Sequence, residues 1–163
     1  MRRMKHLKRL GPGTLAILFT VFAADRATAG SVEPPAVPAS FEIQVDPASV
    51  TPGSQTRVSV RLSPADGVKI NRYPRIRLAV EAQDGLVGAA EGSVGNDKAP
   101  PPGQMESNYF KHVDPVELTL TIDPAATRGT HEIPAKLTYF YCVAASGFCA
   151  PKTVPVVIAL AVE

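Results

Sequence analysis

Only two of the 163 residues are cysteine, Cys142 and Cys149, so at most one disulfide can close within the chain and the fold has to rest on an apolar core. Long hydrophobic runs are missing as well. The longest near the start, Leu15 to Ala24, has ten residues, well short of the roughly 20 that a bilayer-spanning helix requires. No stretch keeps helical periodicity over three turns, and no internal repeat is visible. Neither a Gly-x-Ser-x-Gly elbow nor a paired-carboxylate pattern occurs, which leaves hydrolytic chemistry without support.

The basic charge of the whole chain is also not what it first suggests. Residues 1–29 open with Arg2, Arg3, Lys5, Lys8 and Arg9, continue with the apolar run, and end, after Asp25 and Arg26, on Ala27-Thr28-Ala29 before Gly30. That order matches a secretory signal peptide cut after Ala29, which predicts a periplasmic or secreted protein. Removing it takes six of the 17 Lys and Arg and one of the 15 Asp and Glu, leaving 11 bases against 14 acids, a net of −3. Nucleic-acid binding therefore has no electrostatic support. Such a compartment permits disulfides.

What remains is patterned as strands. Residues 30–40 carry three prolines and read as an extended tether, with the domain running over 41–163. Val58, Val60 and Leu62 alternate with Arg57, Ser59 and Arg61; Ile76, Leu78 and Val80 with Arg77, Ala79 and Glu81; Val116, Leu118, Leu120 and Ile122 with Glu117, Thr119 and Thr121. Each run has one buried and one wet face. Further strands are predicted at Phe41–Val45, at about His131–Cys142 and at about Thr153–Val162. Pro, Gly and Asp turn signals separate them. Short strands at this spacing predict an all-β fold, an antiparallel immunoglobulin-like β-sandwich. The segment Gly95–Asp114 is too long for an ordinary connection. Its adjacent Tyr109 and Phe110 either plug the end of the sandwich or form a lid.

The stretch YFYCVAASGFCAP, residues 139–151, holds both cysteines. Six intervening residues cannot bridge opposite sheets in the manner of an immunoglobulin disulfide, so a bond between them crosses one hairpin. Closing that short loop contributes about 2.5 kcal/mol in the chain-entropy model. Period-two parity puts Ile133, Ala135, Leu137, Tyr139 and Tyr141 on the core face and Cys142 on the other, with Cys149 also on the outer face of the next strand. Pro151 and Pro155 place that strand at a sheet edge. Lys152, near Cys149 in sequence, either lowers the pKa of that thiol or is only a solvated surface charge.

The hairpin from Thr138-Tyr139 through Cys142 and Ser146-Gly147-Phe148-Cys149-Ala150-Pro151 resembles the redox hairpin of the periplasmic N-terminal domain of DsbD, the bacterial transmembrane thiol:disulfide interchange protein. Gly67–Tyr73, followed by Arg75–Leu78, and Glu106–Phe110 extend the likeness over most of 41–163. The resemblance implies an immunoglobulin-like domain whose Cys142 and Cys149 form a catalytic redox pair, with Tyr109 and Phe110 as cap-loop candidates shielding the sulfurs and Cys149 as the contact to partners. It implies a membrane-embedded thiol electron donor, here a separate protein, and thioredoxin-like periplasmic partners. No cofactor and no metal are expected. Two alternatives stay open: a structural or protein-binding sandwich with a hairpin disulfide, and a copper site drawing on Met105, His112 and His131. This chain departs from the family in having six rather than five residues between the cysteines, and Lys69 and Asn71 where the family has tyrosines beside the sulfurs.

Overall fold

The computed structural model describes residues 37–163. The expected leader, residues 1–29, and residues 30–36 of the tether lie outside the described residues. Nine strands follow in chain order: β1 Ala39–Asp46, β2 Ser49–Val50, β3 Gln55–Pro64, β4 Val68–Ile70, β5 Ile76–Val80, β6 Ala90–Val94, β7 Val116–Thr121, β8 Gly129–Val143 and β9 Cys149–Val162. One 3-10 turn, Met105–Asn108, interrupts them within the long 95–114 segment. The fold is all-β, as the alternation predicts. No helix among the described residues is long and apolar enough to cross a membrane.

The strands form two sheets, β1-β3-β7 and β2-β9-β8-β5-β6, with β4 pairing the far end of β8. All pairings are antiparallel except the two-residue β2 beside the end of β9. Identifying β1, β3 and β7 with strands A, B and E, and β9, β8 and β5 with G, F and C, reproduces the immunoglobulin order. Side chains that alternate inward meet between the sheets: Val58, Val60 and Leu62 from β3, Val116, Leu118 and Leu120 from β7, and Ile133, Leu137, Tyr139, Ile158 and Leu160 from β8 and β9 are all buried. Period two explains each of these, since a slip of one residue would turn a whole set to solvent.

Three strands escape the sequence reading because they are too short or too poor in branched residues to alternate visibly. β2 has two residues, β4 has three, and β6 is Ala-Glu-Gly-Ser-Val. The first strand also begins at Ala39, two residues before Phe41, because Ala39 is itself part of the core. Pro151 and Pro155 do lie on an edge strand: β9 pairs β8 on one side, and on the other, among the described residues, only Ala161 and Val162 meet β2.

Gly92 on β6 shows how closely the sheets approach. A Cβ built there would lie 2.0 Å from the Glu117 carbonyl oxygen and 2.7 Å from its carbon, and backbone cannot swing aside as a side chain can. Gly is therefore the residue that lets β6 cross over β7. Gly92→Ala is expected to destabilise the domain by about 1–3 kcal/mol, the usual range for forced overpacking; chemical denaturation with an unchanged midpoint would show that the strands separate at no cost.

Candidate functional site

The site is built on the longest pairing in the molecule. β8 and β9 run in unbroken antiparallel register from Gly129 opposite Val162 to Cys142 opposite Cys149. Beyond the cysteines, the Val143 amide donates to the Phe148 carbonyl at 2.8 Å and the Gly147 amide to the Val143 carbonyl at 2.9 Å. Those bonds close a turn over Ala144-Ala145-Ser146-Gly147. Gly147 takes φ of 68° there, a left-handed conformation that glycine adopts without a Cβ penalty. The six-residue spacing thus leaves the ladder intact, and Cys142 and Cys149 form a disulfide.

The two sulfur-bearing residues are not equivalent. Cys142 is 4 % exposed, while Cys149 is exposed. Parity alone puts both on the outer face, and the alternation of burial along β8 and β9 agrees with that. What parity does not reveal is that the outer face over Cys142 is occupied. β4 lies alongside β8 with Lys69 opposite Cys142 and Ile70 opposite Tyr141, and the strand continues to Asn71, whose amide donates to the Phe140 carbonyl at 2.9 Å. Residues two apart on a strand share a face, so Lys69 and Asn71 both stand on the Cys142 side. Asn71 is buried, and its Oδ1 lies 3.6 Å from Cys142 Sγ. A disulfide sulfur carries no proton, so this is a packing contact.

The 3-10 turn and the residues after it form the next layer. Asn71 bridges to Tyr109, and the Phe110 amide donates to the Ile70 carbonyl at 3.0 Å. Alternation therefore separates the two aromatics that the sequence groups together. Tyr109 shares the Asn71 face, with its ring centroid 4.8 Å from Lys69 Nζ, a cation–π distance. Phe110 turns the other way, packs against the core and carries the Arg72 guanidinium over its ring at 4.9 Å. One residue of the pair thus lies on the cysteine face and the other plugs the end of the sandwich. Glu106 completes the cluster by binding Lys69 Nζ at 2.9 Å, although its own side chain is 83 % exposed.

Asn108, which the sequence reading passes over, anchors this layer. It is 3 % exposed. Its Oδ1 accepts from the Tyr73 amide and its Nδ2 donates to the Tyr73 carbonyl, both at 2.9 Å, and its own carbonyl accepts from the Arg72 amide. A carboxamide is the side chain that offers one donor and one acceptor to the backbone of a single residue. A buried polar side chain has to be satisfied in this way, and no sequence pattern signals it, since the partner lies 35 positions away.

On the other side of the disulfide, Phe148 is 42 % exposed and meets Tyr141 edge-on at 6.2 Å. Tyr141 in turn lies 6.4 Å from Tyr139, whose phenol is pushed above its ordinary value of 10.0 by burial and by the neighbouring Tyr141. Lys152 does not serve Cys149. It stands opposite Tyr139 on β9, three positions from Cys149 and so on the opposite face. Of the residues weighed for copper, His131 places Nε2 2.8 Å from the Thr127 carbonyl, and Met105 and His112 lie exposed in the long segment. Among the described residues no three His, Cys, Asp or Glu side chains are grouped as metal ligands. The ion pairs Arg77–Glu91 and Lys136–Glu81 lie on the solvent face of the larger sheet. In each, the hydrogen-bonded partner lowers the glutamate pKa.

No family model matches the chain, and no curated protein matches it at significant similarity. The chemistry therefore has to be argued from the site. Asn108→Ala strips two buried hydrogen bonds from Tyr73 and is expected to destabilise the domain by about 1–3 kcal/mol. Hydrogen exchange at the Arg72 and Tyr73 amides should accelerate with it, and unchanged protection there would show that Asn108 is not the anchor.

Proposed function

We propose that this is an exported thiol:disulfide exchange domain of the kind found at the N-terminus of DsbD, passing electron pairs through Cys142 and Cys149. The observation that carries the reading is the asymmetry of the pair. Disulfide exchange requires a thiolate to reach one sulfur in line with the bond, while the other departs. Cys149 is exposed at the end of a strand whose outer edge is unpaired from 149 to 160 among the described residues, and Cys142 is buried, flanked by β4 and touched by Asn71. A partner thiolate then attacks Cys149 Sγ, forming a mixed disulfide as the Cys142–Cys149 bond breaks and its electron pair leaves on Cys142. A second thiol of the partner attacks its own sulfur in the mixed disulfide and releases the Cys149 thiolate. The partner dithiol is oxidised, and the domain takes up two electrons and two protons.

The donor in this reading is a membrane-embedded dithiol protein, and the acceptors are thioredoxin-like proteins of the periplasm. The leader-like residues 1–29 support that compartment, and the open β9 edge beside Cys149 offers an extended partner segment a row of backbone groups. A purely structural clasp is the competing reading. It would add about 2.5 kcal/mol to a hairpin already held by an unbroken ladder and a shared core.

The deciding measurement is the reduction potential of the disulfide, obtained by equilibration with glutathione or dithiothreitol. A value above about −300 mV is expected for an exchange protein, and one well below it would identify a clasp and reject the proposal. With a thioredoxin-like protein as partner, Cys142→Ser should accumulate a mixed disulfide through Cys149 while Cys149→Ser does not. The reverse pattern would reject Cys149 as the attacked sulfur.

A further inference from the structure

Breaking the disulfide at Cys149 leaves a negative charge on a sulfur that is almost fully buried. An uncompensated buried anion is costly, and a thiol of high pKa is a poor leaving group. If the pair exchanges at a useful rate, something must receive that charge. We infer that Lys69 is the residue that does so, with Asn71 beside it and Glu106 setting how much of the lysine's charge reaches the sulfur.

The register supplies the geometry. Lys69 and Cys142 are directly opposed on β4 and β8, which brings their Cβ atoms to about 5 Å on a common face. The Lys69 ammonium is held on that face by Glu106 at 2.9 Å and the Tyr109 ring at 4.8 Å. Asn71 already touches the sulfur through Oδ1 at 3.6 Å, and rotating the carboxamide would turn its two N–H donors toward a thiolate. The groups around Cys142 are thus Lys69 from β4, Asn71 just beyond it and Cys149 from β9, with Glu106 and Tyr109 of the long segment against Lys69. Lys152 is on the opposite face of β9. Arg72 and Lys111 line the same pocket as Lys69, but Lys69 is the cation directly opposed to Cys142; a cation close to a thiol lowers its pKa, and an acid beside the cation offsets it.

The electron balance is that of ordinary exchange. An incoming dithiol, such as dithiothreitol or a thioredoxin-like protein, forms a bond to Cys149 Sγ; the Cys142–Cys149 bond breaks; and Cys142 Sγ holds the departing pair as a thiolate beside the Lys69 ammonium until it takes a proton from solvent. Lys69 is a positioning and charge-balancing residue here, since it does not itself bond to the partner. This role rests on the exchange reading above.

The test needs no physiological partner. In protein carrying Cys149→Ser, Cys142 is the sole thiol, and the pH profile of its alkylation by iodoacetamide, followed by mass spectrometry, reports its ionisation. Lys69→Met is expected to raise the midpoint by about one pH unit, a tenfold loss of thiolate near neutrality. Glu106→Gln should lower the midpoint, and Lys69→Arg should stay near the parent. In the disulfide-bonded protein with both cysteines, Lys69→Met should slow reduction by dithiothreitol several-fold. Opposite shifts from two exposed substitutions cannot come from a general loosening of the fold. Coincident midpoints for the parent and Lys69→Met, or shifts of the same sign from Lys69→Met and Glu106→Gln, would overturn the assignment. A clasp-like reduction potential would instead reject the exchange reading while leaving the titration result standing, so the two failures are distinguishable.

Discussion

The unbroken register between β8 and β9 is the constraint on which the rest of the molecule depends. It places Cys142 opposite Cys149, sends Tyr139 and Tyr141 into the core with Val156, Ile158 and Leu160, and leaves one long edge of β8 free. β5 and β4 occupy that edge in succession, β5 opposite Ala135–Thr138 and β4 opposite Tyr141–Val143. A slip of one residue would exchange the faces of β8 and carry the tyrosines to solvent. Core burial and the placement of the sulfurs are therefore one constraint.

The site uses the side of the sheet that the core does not. On most of β8 the outer face is polar and wet, as at Glu132 and Lys136. At its end the same face is dry, with Cys142 buried and Asn71 Oδ1 3.6 Å from its sulfur. One cysteine of the disulfide is therefore buried and the other open. In the proposed exchange an attacking thiolate would meet Cys149 and the charge would collect at Cys142, which lies opposite Lys69 of β4 and against Asn71 just beyond that strand. The cluster is small: one strand of three residues, one turn of four, and the bridge between Asn71 and Tyr109.

Much of this was legible in the residues. Val58, Leu78, Leu118 and their neighbours alternate strictly, and each falls on the core face that the alternation predicts. The hairpin disulfide and the edge position of β9 follow from the short cysteine spacing and from Pro151 and Pro155. The pairing of Tyr109 with Phe110 as one cap was legible only as two adjacent aromatics, because the backbone is extended there and neighbouring side chains point to opposite faces. Lys152 shows the same lesson: close in sequence to Cys149, it is turned away by three residues of strand.

By itself the sequence determined the class of fold, the core positions and the connectivity of the single disulfide, since all three depend on local alternation, turn chemistry and a loop too short to do otherwise. Only the tertiary structure decided that Cys142 is buried while Cys149 is open, that β4 pairs β8 with Lys69 opposite Cys142, that Asn71 Oδ1 touches the buried sulfur, and that Asn108 holds the backbone of Tyr73. These depend on contacts between residues 35 to 73 positions apart, where nothing in local pattern selects one partner over another and packing alone makes the choice.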